Sequence, residues 1–191
     1  MYSKYIKTIG PKGQAINTDD VIKFYFNGLS EANGANVYRR QISLAIGDLN
    51  IGCPTIQFGK GIHKGDSKAS VYQYYYTSKL GEPKLFCAEW AGSCHFDDIY
   101  PVFGQPFLDY DRYVEREREI SRQMIDTFAT FATTGRPSPQ NGSQWHPFYT
   151  IDANIIAPYY EFSSHPKVNT NFGHNLKHIE CELLWKRYLV N

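Results

Sequence analysis

The eight residues Ser70 to Thr77, SVYQYYYT, form the one strong strand pattern in the chain, and they limit the folds open to it. Tyr72, Tyr74 and Tyr76 fall on one face and Val71, Gln73 and Tyr75 on the other, which suits a strand buried on both sides. Pro158 to Ser163 reads as a second, short strand. Helical patterns surround these two. Thr18 followed by Asp19 and Asp20 reads as a helix start, a capping hydroxyl with acids near the positive end of the dipole. Val21, Ile22, Phe24, Tyr25 and Phe26 carry that helix to Gly28, and a second helical pattern covers roughly Val37 to Ala45. A turn-rich passage, Gly47 to Pro54, leads into a short amphipathic segment, Thr55 to Ile62. The best helix runs from about Arg112 to Thr133: Ile120, Met124, Phe128 and Phe131 recur at helical spacing, and Gly135 then Pro137 stop it. The run ERERE at Glu115 to Glu119 reads as its solvated face, with Glu115–Arg118 and Glu119–Arg122 as i,i+3 pairs. Leu176 to Leu189 reads as a closing helix that offers Leu176, Ile179, Leu183 and Trp185 to a core. One strong strand and one weak one cannot make the sheet that so many apolar helices need. The chain reads as part of a fold whose sheet lies elsewhere.

Composition narrows the classes further. With 191 residues the chain fits one ordinary domain or a large piece of a bigger one. Apolar residues make up 42% and charged residues 20%, which excludes a disordered tail. A net charge of +1 leaves no basic footprint for nucleic acid or an anionic membrane surface. No apolar run approaches the ~18 residues of a membrane span, and MYSKYIKTIGPKGQ lacks the apolar core of a secretory signal. Aromatics reach 16%, a composition for thick cores and lined pockets. The four cysteines, Cys53, Cys87, Cys94 and Cys181, contain no C-x-x-C pair, which argues against a zinc knuckle. No cofactor and no metal are expected. Asn141-Gly142-Ser143 is a glycosylation sequon in a Pro/Gln/Asn/Gly stretch that reads as an exposed loop.

The chemistry-bearing candidate is His95, in the stretch WAGSCHFDDIYPVFGQPF. It sits in a passage, Leu80 to Phe107, that reads as a structured loop. A histidine in a loop after a strand fits the last member of a Ser…Asp/Glu…His triad, where a near-neutral imidazole takes and returns the proton of a serine. The bland alternative is a structural loop histidine. No G-x-S-x-G occurs. Gly65-Asp66-Ser67-Lys68-Ala69 runs straight into the strand, the reverse of the strand–serine–helix order of a nucleophile elbow, so Ser67 reads as a polar turn. Asp97 and Asp98 are too near His95 in sequence to reach its Nδ1 as a triad acid, and a supporting or capping role fits both. Cys94 and His95 could form a dyad, although neighbours in extended backbone point apart. His174, His178 and Glu182 could hold a metal on a helix face, against the plainer reading of surface histidines on a terminal helix.

Taken together, several motifs resemble the C-terminal part of the type-B carboxylesterase/cholinesterase family. GDLNIGCPT (Gly47–Thr55) resembles its G-D-x-x-x-x-C-P segment, and VYQYYYT its last long core strand. HFDDIYPVFGQPF (His95–Phe107) is similar to its His-x-x-Asp/Glu-x-x-x-x-Phe-Gly-x-Pro loop. FATFATTGRPSP with Trp145 resembles its Phe-Ala-x-x-Gly-x-Pro…Trp helix and exit, and ECELLWKRYL (Glu180–Leu189) its Cys-x-x-x-Trp end. Five motifs in the family's order make the match specific over nearly the whole chain.

The resemblance implies an α/β class: the C-terminal part of an α/β-hydrolase fold, with residues 1–191 as a single partial domain, helix-rich with few strands because most of the central sheet lies upstream. It implies that His95 is the triad histidine and that Asp98, with Asp97 beside it, is a buried supporting acid rather than the triad acid. It implies a Cys53–Cys181 disulfide tying the closing helix down, hence an oxidising, secreted or cell-surface setting that gives the Asn141 sequon meaning. Cys87 and Cys94 have no clear family counterparts, and a local bridge and two free thiols both remain open. Phe96 departs from the small residue that commonly follows the histidine in cholinesterases, which points toward a general carboxylesterase or a related arthropod-type esterase over a choline-selective enzyme. The family's serine elbow, oxyanion glycines and triad acid precede the matched segment. The implied function is therefore a carboxylic ester hydrolase segment, inactive alone, whose full-length parent takes a small-molecule ester; the alternative is a non-catalytic cholinesterase-like adhesion or binding module.

Overall fold

The computed structural model describes residues 16–66, 68–79, 87–138, 144–148, 157–163 and 172–189. They gather into two compact units. One holds the described residues up to Gly65 together with those from Lys177 onward, and the other holds the described residues from Asp66 to Leu176. Among the described residues no helix is long and apolar enough to cross a membrane. Asn141 and Ser67 lie outside the described residues.

The first unit is helical. α1 spans Thr18–Tyr25, and its cap is Asn17 rather than Thr18: the Asn17 Oδ1 accepts the N–H groups of Asp19 at 3.0 Å and Asp20 at 3.5 Å. Both residue types can cap, and the asparagine one position earlier takes the role. α2 spans Gly34–Gly47 and passes through a π-helical turn, Asp48–Gly52, directly into α3, Cys53–Gly65. The passage Gly47 to Pro54 is thus helical and not a turn. Its glycines keep helical neighbours, and the wide turn, in which the Cys53 N–H reaches Asp48 O, leaves Asp48 and Leu49 facing inward. Within α3, Cys53, Ile56 and Gly59 face inward, while Phe58 is 71% exposed.

The closing segment is a second π-helical run, Ile179–Trp185, that ends in α7, Lys186–Leu189. Its inner face carries Cys181, Leu184, Trp185 and Tyr188. Leu183 and Ile179, read as core residues at the ordinary helical period, are exposed instead. Trp185 is buried as the reading expected, and the inward residues Cys181, Leu184, Trp185 and Tyr188 recur at i, i+3, i+4 and i+7, with Ile179 and Leu183 off that stripe. Cys53 and Cys181 are joined, with Cα atoms 5.2 Å apart across a sequence separation of 128 residues, and both are fully buried. Beside them the Trp185 indole N–H donates to the Tyr25 hydroxyl at 2.8 Å, and that hydroxyl donates to Asp48 Oδ2 at 2.8 Å. Lys177 Nζ reaches the same oxygen at 3.2 Å. Burial pushes both the Asp48 carboxyl and the Tyr25 phenol above their ordinary values, with Lys177 partly offsetting the effect at Asp48.

Glu182 is the opposite case. Lys186 Nζ at 2.7 Å and Lys60 Nζ hold its carboxyl down at about 2, below the ordinary 4.5. A carboxyl depressed on folding contributes stability above its unfolded value and loses it as pH falls toward the folded one. We expect the melting temperature of the wild type to exceed that of Glu182→Gln near pH 6, with the difference shrinking between pH 4.5 and about 2. Melting curves at stepped pH check this; a difference that stays constant to pH 2 would refute it.

The second unit holds the sheet. β1 is Tyr74–Tyr76, β2 Pro158–Phe162 and β3 Phe172–His174, in the order β1-β2-β3. β1 and β2 are parallel with Tyr75 opposite Glu161, and β2 and β3 antiparallel with Tyr159 opposite Gly173. The strand pattern of residues 70–77 contracts to three paired residues, extended at either end by Tyr160 N–H to Gln73 O and Thr77 N–H to Phe162 O. β3 has no counterpart in the sequence reading, because three residues are too few to show a period. The long helix, α6, spans Glu115–Thr134 and ends where Gly135, at φ 72°, returns its N–H to Phe131 O. Ile120 and Met124 from α6 pack with Trp145, Tyr160 and Phe162, and Tyr72, Tyr74 and Tyr76 lie half-buried against that cluster.

The acidic-basic run at the start of α6 is only partly solvated, which corrects the sequence reading. Glu117 is 1% exposed and accepts the Val114 N–H at 2.8 Å, closing the first turn of the helix. Arg118 is also buried: its guanidinium stacks 3.8 Å over the Tyr110 ring and donates to the carbonyls of Tyr110 and Tyr113. Glu115–Arg118, at 3.0 Å, and Glu119–Arg122 do pair three residues apart.

Candidate active site

His95 sits in a turn, residues 95–98, that opens directly into a short helix α4, Ile99–Val102, followed by α5, Gln105–Leu108. The passage read as a structured loop therefore ends in two helical turns. The turn is closed by Asp97 N–H to Cys94 O at 3.1 Å and Ile99 N–H to Phe96 O at 3.1 Å. Phe96 takes φ 76°, in the left-handed region.

Four ties hold the turn in place. Ser93 Oγ donates to Ser78 O at 3.1 Å, linking the residues before His95 to those just after β1. The Tyr74 hydroxyl, from β1 itself, donates to Asp98 Oδ2 at 2.9 Å. Cys94 is bridged to Cys87. Below, Ser121 Oγ on α6 donates to Pro101 O at 2.7 Å, fixing α4 on the long helix. Burial and the adjacent Asp98 charge push the Tyr74 phenol above its usual range, so it remains a donor at any ordinary pH.

The two aspartates are both committed elsewhere. Asp98 is half-buried and accepts from Tyr74; Asp97 accepts the Cys94 N–H at 2.7 Å through Oδ2. Burial raises the Asp97 carboxyl, the Asp98 charge adds to the rise, and the Cys94 N–H opposes it. The His95 imidazole is exposed and lies against the Phe96 ring, centroids 3.9 Å apart at a 34° tilt. The arrangement is a solvent-reachable base on a braced turn beside the only parallel strand pair among the described residues. Such a group can accept and return a proton.

His174, His178 and Glu182 do not share a helix face. His174 ends β3, His178 starts the closing segment, and Glu182 is taken up by Lys60 and Lys186. Tyr74, Ser93 and Ser121 escaped the sequence reading as supports of the His95 turn; their partners lie 15 to 24 residues away, with no local signal.

The family model for the Carboxylesterase family matches residues 4–183. The chain is 34% identical over 141 residues to an acetylcholinesterase of Bungarus fasciatus, covering 73% of this chain and 22% of that protein. It is 32% identical over 133 residues to an acetylcholinesterase of Leptinotarsa decemlineata, covering 70% and 20%. To a cholinesterase of Mus musculus it is 32% identical over 148 residues, covering 76% and 24%. This chain belongs to the carboxylesterase family. It spans about a fifth to a quarter of the length of these curated relatives.

Proposed function

We propose that this chain is the C-terminal section of a serine ester hydrolase, residues 1–191 forming one partial domain, and that His95 is its general base and acid. The observation that carries the reading is the exposed imidazole on a turn braced from β1, α6 and the Cys87 bridge. In the reaction a serine hydroxyl attacks the ester carbonyl while His95 takes its proton. The imidazolium then protonates the leaving alcohol, and the base returns to activate water for deacylation. Asp97 and Asp98 shape the turn and leave the orientation of the imidazole to another acid. The serine, that acid and the oxyanion donors come from polypeptide outside these 191 residues, since no G-x-S-x-G occurs here. Most of the sheet comes from there too, and surfaces such as Phe103 and Leu108, 74% and 80% exposed, are then covered by it. The substrate is a small carboxylic ester. Two disulfides favour an oxidising setting, secreted or cell-surface, in which the Asn141 sequon can carry glycan.

The test is a chimera in which this chain replaces the matched C-terminal section of a cholinesterase relative. Ester hydrolysis is expected in the chimera, with kcat falling about ten-thousand-fold or more on His95→Ala, while the 191-residue chain alone stays at background. A folded chimera whose activity is indifferent to His95→Ala, or an active isolated chain, would refute the proposal.

A further inference from the structure

The two disulfides occupy unlike settings. Cys53–Cys181 is sealed in a core and spans 128 residues, whereas Cys87–Cys94 is half-buried and spans seven. A short loop loses little chain entropy on closure, so its bridge is the weaker constraint, and solvent access lets a thiolate reach it. Asp97 stands beside it. The ligand atoms of Cys87, Cys94 and Asp97 all lie within 4.8 Å of one another. Its Oδ2 accepts the Cys94 N–H, which leaves its other carboxylate oxygen available to a ligand.

We propose that Cys87–Cys94 is a redox-labile bridge, and that in its dithiol form Cys87, Cys94 and Asp97 make a binding site for zinc or a similar thiophilic divalent cation. The bridged sulfurs cannot both ligate a metal, so the site exists only after reduction. A small dithiol reductant supplies the electrons. One of its thiolates attacks a bridge sulfur, giving a mixed disulfide and one cysteine thiolate. Its second thiol then closes the reductant's own disulfide and releases the other. Two electrons and two protons have moved to the cysteine pair, and metal binding expels the two thiol protons to solvent. Thiolates on one tetrahedral zinc sit about 3.8 Å apart, each about 2.3 Å from the metal, with carboxylate oxygen at about 2.0–2.2 Å. The 4.8 Å cluster reaches that geometry by separating the two sulfurs within a turn that Asp97 already holds together. Water fills the fourth position. The sequence from Cys94 to Asp97 then acts as a C-x-x-D half-site, with Cys87 closing it from seven residues upstream.

Opening the bridge removes one of the four ties on the His95 turn and leaves the other three, and the test reads the 191-residue chain without reference to ester hydrolysis. The test reduces that chain with dithiothreitol under native conditions, removes the reductant, and titrates Zn(II) or Co(II). Two thiols per chain are expected, with alkylation mapping to Cys87 and Cys94 while Cys53–Cys181 survives. One Co(II) should bind with a sulfur-to-cobalt charge-transfer band that the oxidised chain lacks. Asp97→Asn, which keeps an oxygen to accept the Cys94 N–H, should weaken zinc at least tenfold, and Cys87→Ser should abolish the band. Loss of Cys53–Cys181 before Cys87–Cys94 would overturn the proposal. So would a reduced chain without the band, or an Asp97→Asn chain, native by circular dichroism, that binds zinc as tightly as the wild type.

Discussion

Replacing Cys53 and Cys181 together by alanine should destabilise the first unit by about 4–5 kcal/mol, the loop-entropy value for a bridge closing well over a hundred residues. The bridge joins the first residue of α3 to the closing segment, across 128 residues of sequence. Unfolding with it intact leaves a chain still looped at that point, so the denatured state has far fewer conformations to gain. Alanine is the informative replacement, because both positions are fully buried and a serine hydroxyl there would lack a partner. Amide hydrogen exchange resolved to peptides from Cys53–Gly65 and Ile179–Leu189 gives the local opening energy. A loss under about 1 kcal/mol would mean that packing alone positions the closing segment.

Trp185→Ala should cost a similar amount, about 3–5 kcal/mol, by removing the largest fully buried side chain among the described residues. Part of that is the void it leaves beside Tyr25 and Tyr188, and part is the hydrogen bond from its indole N–H to the Tyr25 hydroxyl. Trp185→Phe separates the two. It keeps most of the apolar bulk and loses the donor, so it should cost about 1–3 kcal/mol from volume and hydrogen bond together. The Tyr25 hydroxyl keeps its contact with Asp48 in either variant. Urea unfolding of the three proteins checks the order; equal losses for Phe and Ala would show that the hydrogen-bonded chain to Asp48 outweighs the packing.

How much of this was written in the residues differs by feature. α6 was legible because Ile120 and Met124 recur at the α period and Gly135 stops it, and the strand at Tyr74 because alternating tyrosines survive any small error of boundary. The closing segment was half legible: Trp185 is buried as read, but Leu184 faces inward where Leu183 was chosen, because two adjacent leucines leave the choice of stripe to the packing. The run ERERE misled for another reason. A charged run reads as solvated, yet Glu117 is used to cap its own helix and Arg118 to satisfy two carbonyls and a tyrosine face. His95 was singled out by its neighbours in sequence, and Cys53 with Cys181 by the order of family motifs. What braces the histidine was invisible, because the Tyr74–Asp98 and Ser121–Pro101 bonds join residues whose proximity only the fold creates. The Cys87–Cys94 bridge was undecidable from spacing, since seven residues allow both outcomes.

Phe96 ends the matter at position 95. A side chain with a Cβ at φ 76° stores about 1–3 kcal/mol of backbone strain that a glycine would not. The same ring walls one side of the imidazole at 3.9 Å. Relaxing the main chain takes a glycine at position 96, which would also unshield the heterocycle and widen the arc it can sweep. Main-chain strain and side-chain confinement thus separate by substitution: alanine at position 96 removes the wall and keeps the strain, and glycine alone removes both.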